Sequence, residues 1–192
     1  MLDIIRDDAG DQIGGETGNL IAKLEGTTAG PTLLLSAHMD TVGPGQGIEP
    51  VVKGDKIVSK GDTILGADDK AGIVAILEAV RYLKEENLEY GDLEIVFTVG
   101  EEDGLLGSKN LDYSLLEANL GIAYDSSGPV GKIVTQAPAQ DKIKVKVEGK
   151  SAHAGINPSR GVNAIKVASI AISNLNLGRI DEETTANIGV VK

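Results

Sequence analysis

Two kinds of hydrophobic pattern alternate along the first two thirds of the chain. Thr32–Ser36 (TLLLS) and Leu93–Thr98 (LEIVFT) are continuous apolar runs of the length expected for strands buried on both faces. Asn19–Leu24 (NLIAKL) and Leu120–Asp125 (LGIAYD) read as two further strands. Between these runs Ile73, Ile76, Leu77, Val80 and Leu83 recur with a helical period. That helix begins at or just after Asp68-Asp69 and frays at Glu85-Glu86-Asn87. The residues around Lys53-Gly54-Asp55-Lys56 predict a hairpin, and Leu105–Leu111 a short helix. Asp8–Gly18, Gly26–Pro31 and Gly43–Gly47 are polar, glycine-rich connections. Strands alternating with helices indicate an α/β sheet covered on both faces.

From about Gln136 the pattern changes. Lys142–Glu148 (KIKVKVE) alternates strictly, with Ile143, Val145 and Val147 on one face, as in a strand with one wet side. A helix is predicted over Gly161–Leu175, with Val162, Ile165, Ser169 and Ile172 on one side, and a last strand over Thr185–Val191. This β-α-β run belongs to a separate antiparallel layer. The boundary is placed near Ala137, giving domains 1–136 and 137–192. The chain stops within the apolar run Asn187–Lys192, and Met1 leads almost directly into Asp7-Asp8-Ala9-Gly10. An incomplete second domain and exposed apolar surface are therefore expected.

Composition narrows the function classes. The 192 residues carry 41% hydrophobic and 24% charged side chains, a globular balance, with a net charge of −11. Such a charge argues against a nucleic-acid surface and against a polybasic membrane contact. Cysteine is absent, so disulfides and thiolate metal sites are excluded. Apolar runs such as Leu33-Leu34-Leu35 are too short to span a bilayer, and the first residues lack the basic start and apolar centre of a signal peptide. A soluble cytoplasmic protein is the expectation.

The candidate chemistry sits where strands and loops meet. A carboxylate pair at a helix start, such as Asp68-Asp69, is ordinarily a cap, because free N–H groups and the helix dipole attract negative charge. Here the pair has company at the ends of other strands: His38 and Asp40, Glu101 and Glu102, and Asp125. His38 and Asp40 are two apart and share a face if the strand continues through them. An imidazole suits zinc, and a nearby carboxylate can fix its tautomer. Of two adjacent glutamates, one can bind a metal while the other serves as general base. Open α/β sheets bind ligands at the carboxyl ends of their strands. Jointly these positions favour a metal site built mostly from hard oxygen ligands, suited to a carboxylate-bridged pair of zinc or manganese ions. HExxH, GxSxG, P-loop and dinucleotide fingerprints are all absent.

Ser36-Ala37-His38-Met39-Asp40-Thr41-Val42, Leu65–Gly72 (LGADDKAG), Gly100-Glu101-Glu102 and Ser151-Ala152-His153-Ala154-Gly155 together resemble the co-catalytic zinc peptidases. That superfamily contains peptidase T, carboxypeptidase G, aminoacylase and succinyl-diaminopimelate desuccinylase, and the LGADDKAG form most resembles peptidase T-like proteins. The resemblance implies a catalytic domain with a mixed sheet flanked by helices, plus part of a smaller α+β, ferredoxin-like lid or dimerisation domain. It implies two divalent ions, zinc foremost and manganese or cobalt as alternatives. Asp68 would bridge them, His38 and Asp125 would complete the first, and Glu102 would bind the second. Glu101 would be the general base, Asp40 would orient His38, and the Asp68–Asp69 peptide would be cis. His153, in the lid, would reach the active site of a partner subunit. The family's late histidine ligand has no counterpart after His153, so a weak second site and low activity are expected. The implied reaction is hydrolysis of short peptides of the tripeptidase or aminopeptidase type. The alternatives are an N-acyl amino acid amidohydrolase on the same site, or a non-catalytic association module.

Overall fold

The structure, a computed structural model, describes residues 2–192. The chain divides into two compact units, one ending at Lys132 and the other running from Ile133 to Lys192, a few residues ahead of Ala137. In the first unit, β1 (Leu2–Arg6) and α1 (Ala9–Ile13) precede β2 (Leu20–Leu24) and β3 (Leu33–His38). A hairpin of β4 (Pro50–Lys53) and β5 (Lys56–Ser59) leads to α2 (Ala67–Glu85), β6 (Leu93–Thr98), α3 (Leu106–Lys109) and β7 (Leu120–Ala123). The main sheet has the order β1-β2-β6-β3-β7. It is mixed: β1–β2 and β2–β6 are antiparallel, whereas β3 runs parallel to both β6 and β7. The carboxyl ends of β6, β3 and β7 therefore share one edge.

Helix α2 covers one face of this sheet. Ile73, Ile76 and Val80 pack against Leu35, Ala37 and Ile95, and Ile76 is fully buried. Leu77 stands at the margin of the stripe, half-exposed. Asp68 and Asp69 have non-helical backbone angles, so the regular helix starts just after the pair, and the peptide between them is cis. Among the described residues no helix is long and apolar enough to cross a membrane.

Several expectations need correction. The connection Asp8–Gly18 holds the five-residue α1, whose first turn is held by the Asp7 carboxylate accepting from the Ala9 amide at 3.1 Å. Strand β1 escapes the pattern because one strand face is not uniformly apolar: Ile4 is exposed. In the second unit, α4 (Ala164–Ser173) forms as the period predicts, though shorter, capped by the Asn163 side chain accepting from the Lys166 amide at 2.9 Å. No ladder forms over Lys142–Glu148. Alternation selects a face but supplies no partner, and among the described residues the only pairing nearby is the bridge of Lys150 with Val162. The last strand shrinks to β9 (Thr185–Ala186), paired with β8 (Gly178–Arg179). Ile143, Val145, Ile165 and Ile170 are exposed.

Gly72 links the fold to the site. A Cβ there would stand 2.4 Å from Asp69 Oδ1 and 2.6 Å from the Tyr124 carbonyl oxygen, so only glycine lets α2 lie this close to the end of β7. Helix propensity alone makes Gly→Ala worth about 1 kcal/mol of added stability in a helix interior. The close approach reverses that sign. Gly72→Ala is expected to destabilise the protein by about 1–3 kcal/mol in denaturant unfolding, as overpacking does. A control, Gly30→Ala, meets nothing nearer than 3.9 Å and should stay within about 0.5 kcal/mol of wild type.

Candidate metal centre

His38 is the last residue of β3 and is 2% exposed. Its position is fixed by backbone bonds on both sides: Met39 N–H donates to the Thr98 carbonyl on β6 at 2.8 Å, and Tyr124 N–H donates to the Ser36 carbonyl at 2.8 Å. The parallel register that pairs Ser36 with Ala123 carries Asp125 past the end of β7 to the level of His38. Glu101 and Glu102 follow β6 at the same edge, and Asp68 and Asp69 arrive from the start of α2.

Two sets of side chains converge around this one imidazole. Single ligand atoms of His38, Asp68 and Glu102 lie within 4.8 Å of one another, and so do those of His38, Asp69 and Asp125. His38 Nε2 is 3.1 Å from Asp68 Oδ1. Asp69 is the residue that pattern reading missed. Its carboxylate is buried and accepts from the backbone N–H of His38 at 3.3 Å and of Gly72 at 3.1 Å. A residue beside a recognised aspartate gives no sequence signal of which way its side chain turns. The backbone kink at the start of α2 decides that.

Asp40 lies beside His38 with a refinement. The closer partner of His38 Nδ1 is the Asp40 backbone carbonyl at 3.0 Å, with the carboxylate at 3.5 Å. The carboxylate instead accepts from the amides of Glu101 at 3.0 Å and Glu102 at 3.1 Å, fixing the loop that carries both glutamates. An Nδ1–H donated to that carbonyl leaves Nε2 free to face the carboxylates. His153 lies in the second unit, exposed, with Nδ1 accepting from the Gly155 amide at 3.1 Å.

The donor set fits divalent cations. Among the described residues no lysine or arginine pairs with Asp68, Asp69, Glu101, Glu102 or Asp125, since the ion pairs of basic side chains lie elsewhere. The acids instead strain against each other. Burial, with the field of Asp125, Glu102 and Asp40, raises the Glu101 carboxyl above its usual range against the pull of His38. Burial, with Asp68 nearby, likewise raises Asp125, and burial raises Asp69. Desolvation opposes charge on His38, but the Asp68 hydrogen bond and the fields of Asp125, Asp40 and Glu101 win and raise its pKa. One imidazole among hard carboxylate oxygens, with no basic side chain to neutralise them, is a ligand set for zinc or a similar ion.

Residues 19–171 match peptidase family M28, which is most of the chain. The chain belongs to this family. Among curated relatives of this M28 member, the uncharacterized protein YqjE of Bacillus subtilis is 53% identical over 98% of this chain and 51% of its own length. Peptidase T of Fusobacterium nucleatum is 36% identical over 67% of this chain and 31% of its own length. Among solved structures, aminopeptidase PepT from Bacillus cereus superposes with a TM-score of 0.85 at 46% identity. A tripeptidase from Staphylococcus aureus superposes with a TM-score of 0.84 at 43% identity. Each match covers 98% of this chain and 51% of the solved one, so the chain spans about half the length of these relatives. By family the chain thus resembles peptidase T-like metallopeptidases over about half of their length, and it has the mixed sheet and flanking helices of that fold.

The electrostatics make a pH prediction. A histidine whose folded pKa is raised contributes stability that is complete below its unfolded value, 6.5, and is lost as pH rises through the folded value. Asp40 and Glu94, whose pKa values are lowered, stay ionised throughout that window and add no slope. The melting temperature of metal-free protein should therefore fall as pH rises from about 6.5 through the higher value that His38 has in the folded state. Saturating zinc should flatten or reverse the trend, because the ion takes the deprotonated imidazole. A metal-free melting temperature that climbs through this window would contradict the His38 environment described.

Proposed function

We propose that this chain forms the metal-holding part of a peptidase that hydrolyses short peptides, of the tripeptidase or aminopeptidase type. The observation that carries the reading is the gathering of His38, Asp68, Asp69, Glu102 and Asp125 at one sheet edge, in a chain similar to aminopeptidase PepT and a tripeptidase. By the family pattern His38, Asp68 and Asp125 would hold one ion, and Asp68 and Glu102 a second, with zinc the preferred metal; in the structure Asp125 converges on His38 together with Asp69, and Asp68 together with Glu102. Bound there, the ions would polarise a carbonyl and lower the pKa of water.

The protein's own groups have separable tasks. Glu101 follows β6 on the same loop as Glu102 but belongs to neither converging set, so it is free to handle a proton. Its raised pKa suits a carboxylate that takes a proton from water and returns it to a leaving amine. Asp40 sets the loop through its two amide bonds and sets the ring of His38 through its carbonyl. Asp69 ties the end of β3 to the first turn of α2. By the same reading residues 137–192 are part of a lid that pairs two copies, and His153 serves the partner's site. Exposed apolar side chains in that stretch support association.

The test combines metal analysis with hydrolysis of a tripeptide bearing a free or a blocked amino terminus. Cleavage of the free form alone supports the aminopeptidase reading. Preference for the blocked form turns the assignment to an N-acyl amino acid deacylase, and absence of bound metal turns it to a non-catalytic module. In a form that turns over, Glu101→Gln is expected to lower kcat by about 10²–10⁴-fold with metal content retained, as loss of a general base does. Glu102→Gln should weaken one ion instead. Equal metal loss in both variants would show the two roles to be misassigned.

A further inference from the structure

The loop bearing Glu101 and Glu102 is held at its tip by Asp40, and a second, unrelated residue holds its stem. Asn19, the residue just before β2, is fully buried and uses every polar atom of its side chain. Its Oδ1 accepts from the Val99 amide at 3.1 Å, and its Nδ2 donates to the Gly107 carbonyl at 3.0 Å. Gly107 N–H donates back to the Val99 carbonyl at 2.9 Å, closing a ring of three bonds around the base of the loop. The second Nδ2 proton goes to Asp7 Oδ2 at 2.7 Å, while Asp7 Oδ1 takes the Asn19 amide at 2.7 Å. The approach is so close that a Cβ on Gly107 would stand 2.1 Å from the Val99 oxygen and 2.6 Å from Asn19 Oδ1. Asn19 is thus clamped by the end of β1 and in turn clamps both ends of the stretch Val99–Gly107.

We propose that Asn19, oriented by Asp7, is a positioning residue that sets where Glu101 and Glu102 stand relative to His38. Glu101 and Glu102 are two and three residues beyond Val99, and no regular element carries them. Their location therefore depends on what pins the loop: Asp40 at the amides of Glu101 and Glu102, and Asn19 at Val99 and Gly107. His38, Asp68, Asp69 and Asp125 hang on β3, α2 and β7 and do not share this clasp. Loss of Asn19 should displace the glutamates and spare the rest.

The proposal rests on the metal-centre reading, and the experiment separates the two. Zinc is titrated calorimetrically into wild type, Asn19→Ala and Asp7→Asn, and amide hydrogen exchange is followed in the metal-free proteins. Asp7→Asn is nearly isosteric but places an N–H₂ group against Asn19 Nδ2, a donor against a donor, which turns the Asn19 amide over and breaks the clasp. Outer residues that orient ligands typically contribute about 10–100-fold in metal affinity. The weaker ion should lose about that much in both variants, while the tighter ion shifts by less than about threefold. The Glu101 and Glu102 amides should exchange at least about 10-fold faster, with the β3 amides unchanged. Equal loss at both ions, uniform acceleration of exchange, or failure of both variants to fold would reduce Asn19 to a general structural role and overturn the proposal. Unchanged binding and exchange would overturn it as well. If wild type takes up no zinc, the metal reading fails, and the exchange pattern still decides whether Asn19 positions the loop.

Discussion

Parallel pairing of β3 with both of its neighbours is the constraint on which the rest depends. Because β6, β3 and β7 run the same way, their carboxyl ends meet at one edge, and the short segments beyond them deliver Glu101, Glu102, His38, Asp40 and Asp125 to one place. The fourth arm comes from α2, seated on the same sheet through Ile73, Ile76 and Val80. Gly72 permits the last approach, because its missing side chain leaves room for Asp69 against the end of β7. The apolar packing of the sheet thus determines the spacing of groups that are not apolar at all.

That spacing carries an electrostatic cost. Burial, with the repulsion of neighbouring acids, raises the pKa values of Glu101 and Asp125, and the carboxylates around His38 raise its pKa against the cost of burying charge. Elsewhere in the protein the buried acid is neutralised conventionally: Glu94, almost fully buried, takes Lys23 at 3.1 Å and the amides of Glu117 and Ala118, and its pKa falls. The contrast is informative. The chain has basic residues and uses one where a buried acid is structural, yet among the described residues none pairs with the acids around His38. A divalent cation reverses the sign of the repulsion there.

Much of this was legible in the sequence because it depends on local pattern. Apolar runs mark β3 and β6, the helical period marks α2, and the acids fall just past strand ends. What was not legible depends on direction and partners. The Asp68-Asp69 pair is obvious as a pair, but only the backbone kink shows that Asp69 turns inward to the His38 amide. Asp40 reads as a carboxylate partner of His38, whereas the closer contact is its carbonyl, an atom every residue has. Asn19 reads as the first residue of an ordinary strand, since its partners are backbone groups at Val99 and Gly107. Lys142–Glu148 has the alternation of a strand without a partner among the described residues, and pattern alone does not supply one.

The central claim is that the acids around His38 are a metal centre. Crystals of the protein soaked in zinc, with anomalous differences recorded across the zinc edge, test it most directly. The account predicts an anomalous peak bonded to His38 Nε2 and to carboxylate oxygens of Asp68 and Asp125, with any second, weaker peak at Asp68 and Glu102. Zinc bound only at surface acids, with His38 Nε2 still hydrogen-bonded to Asp68, would contradict it.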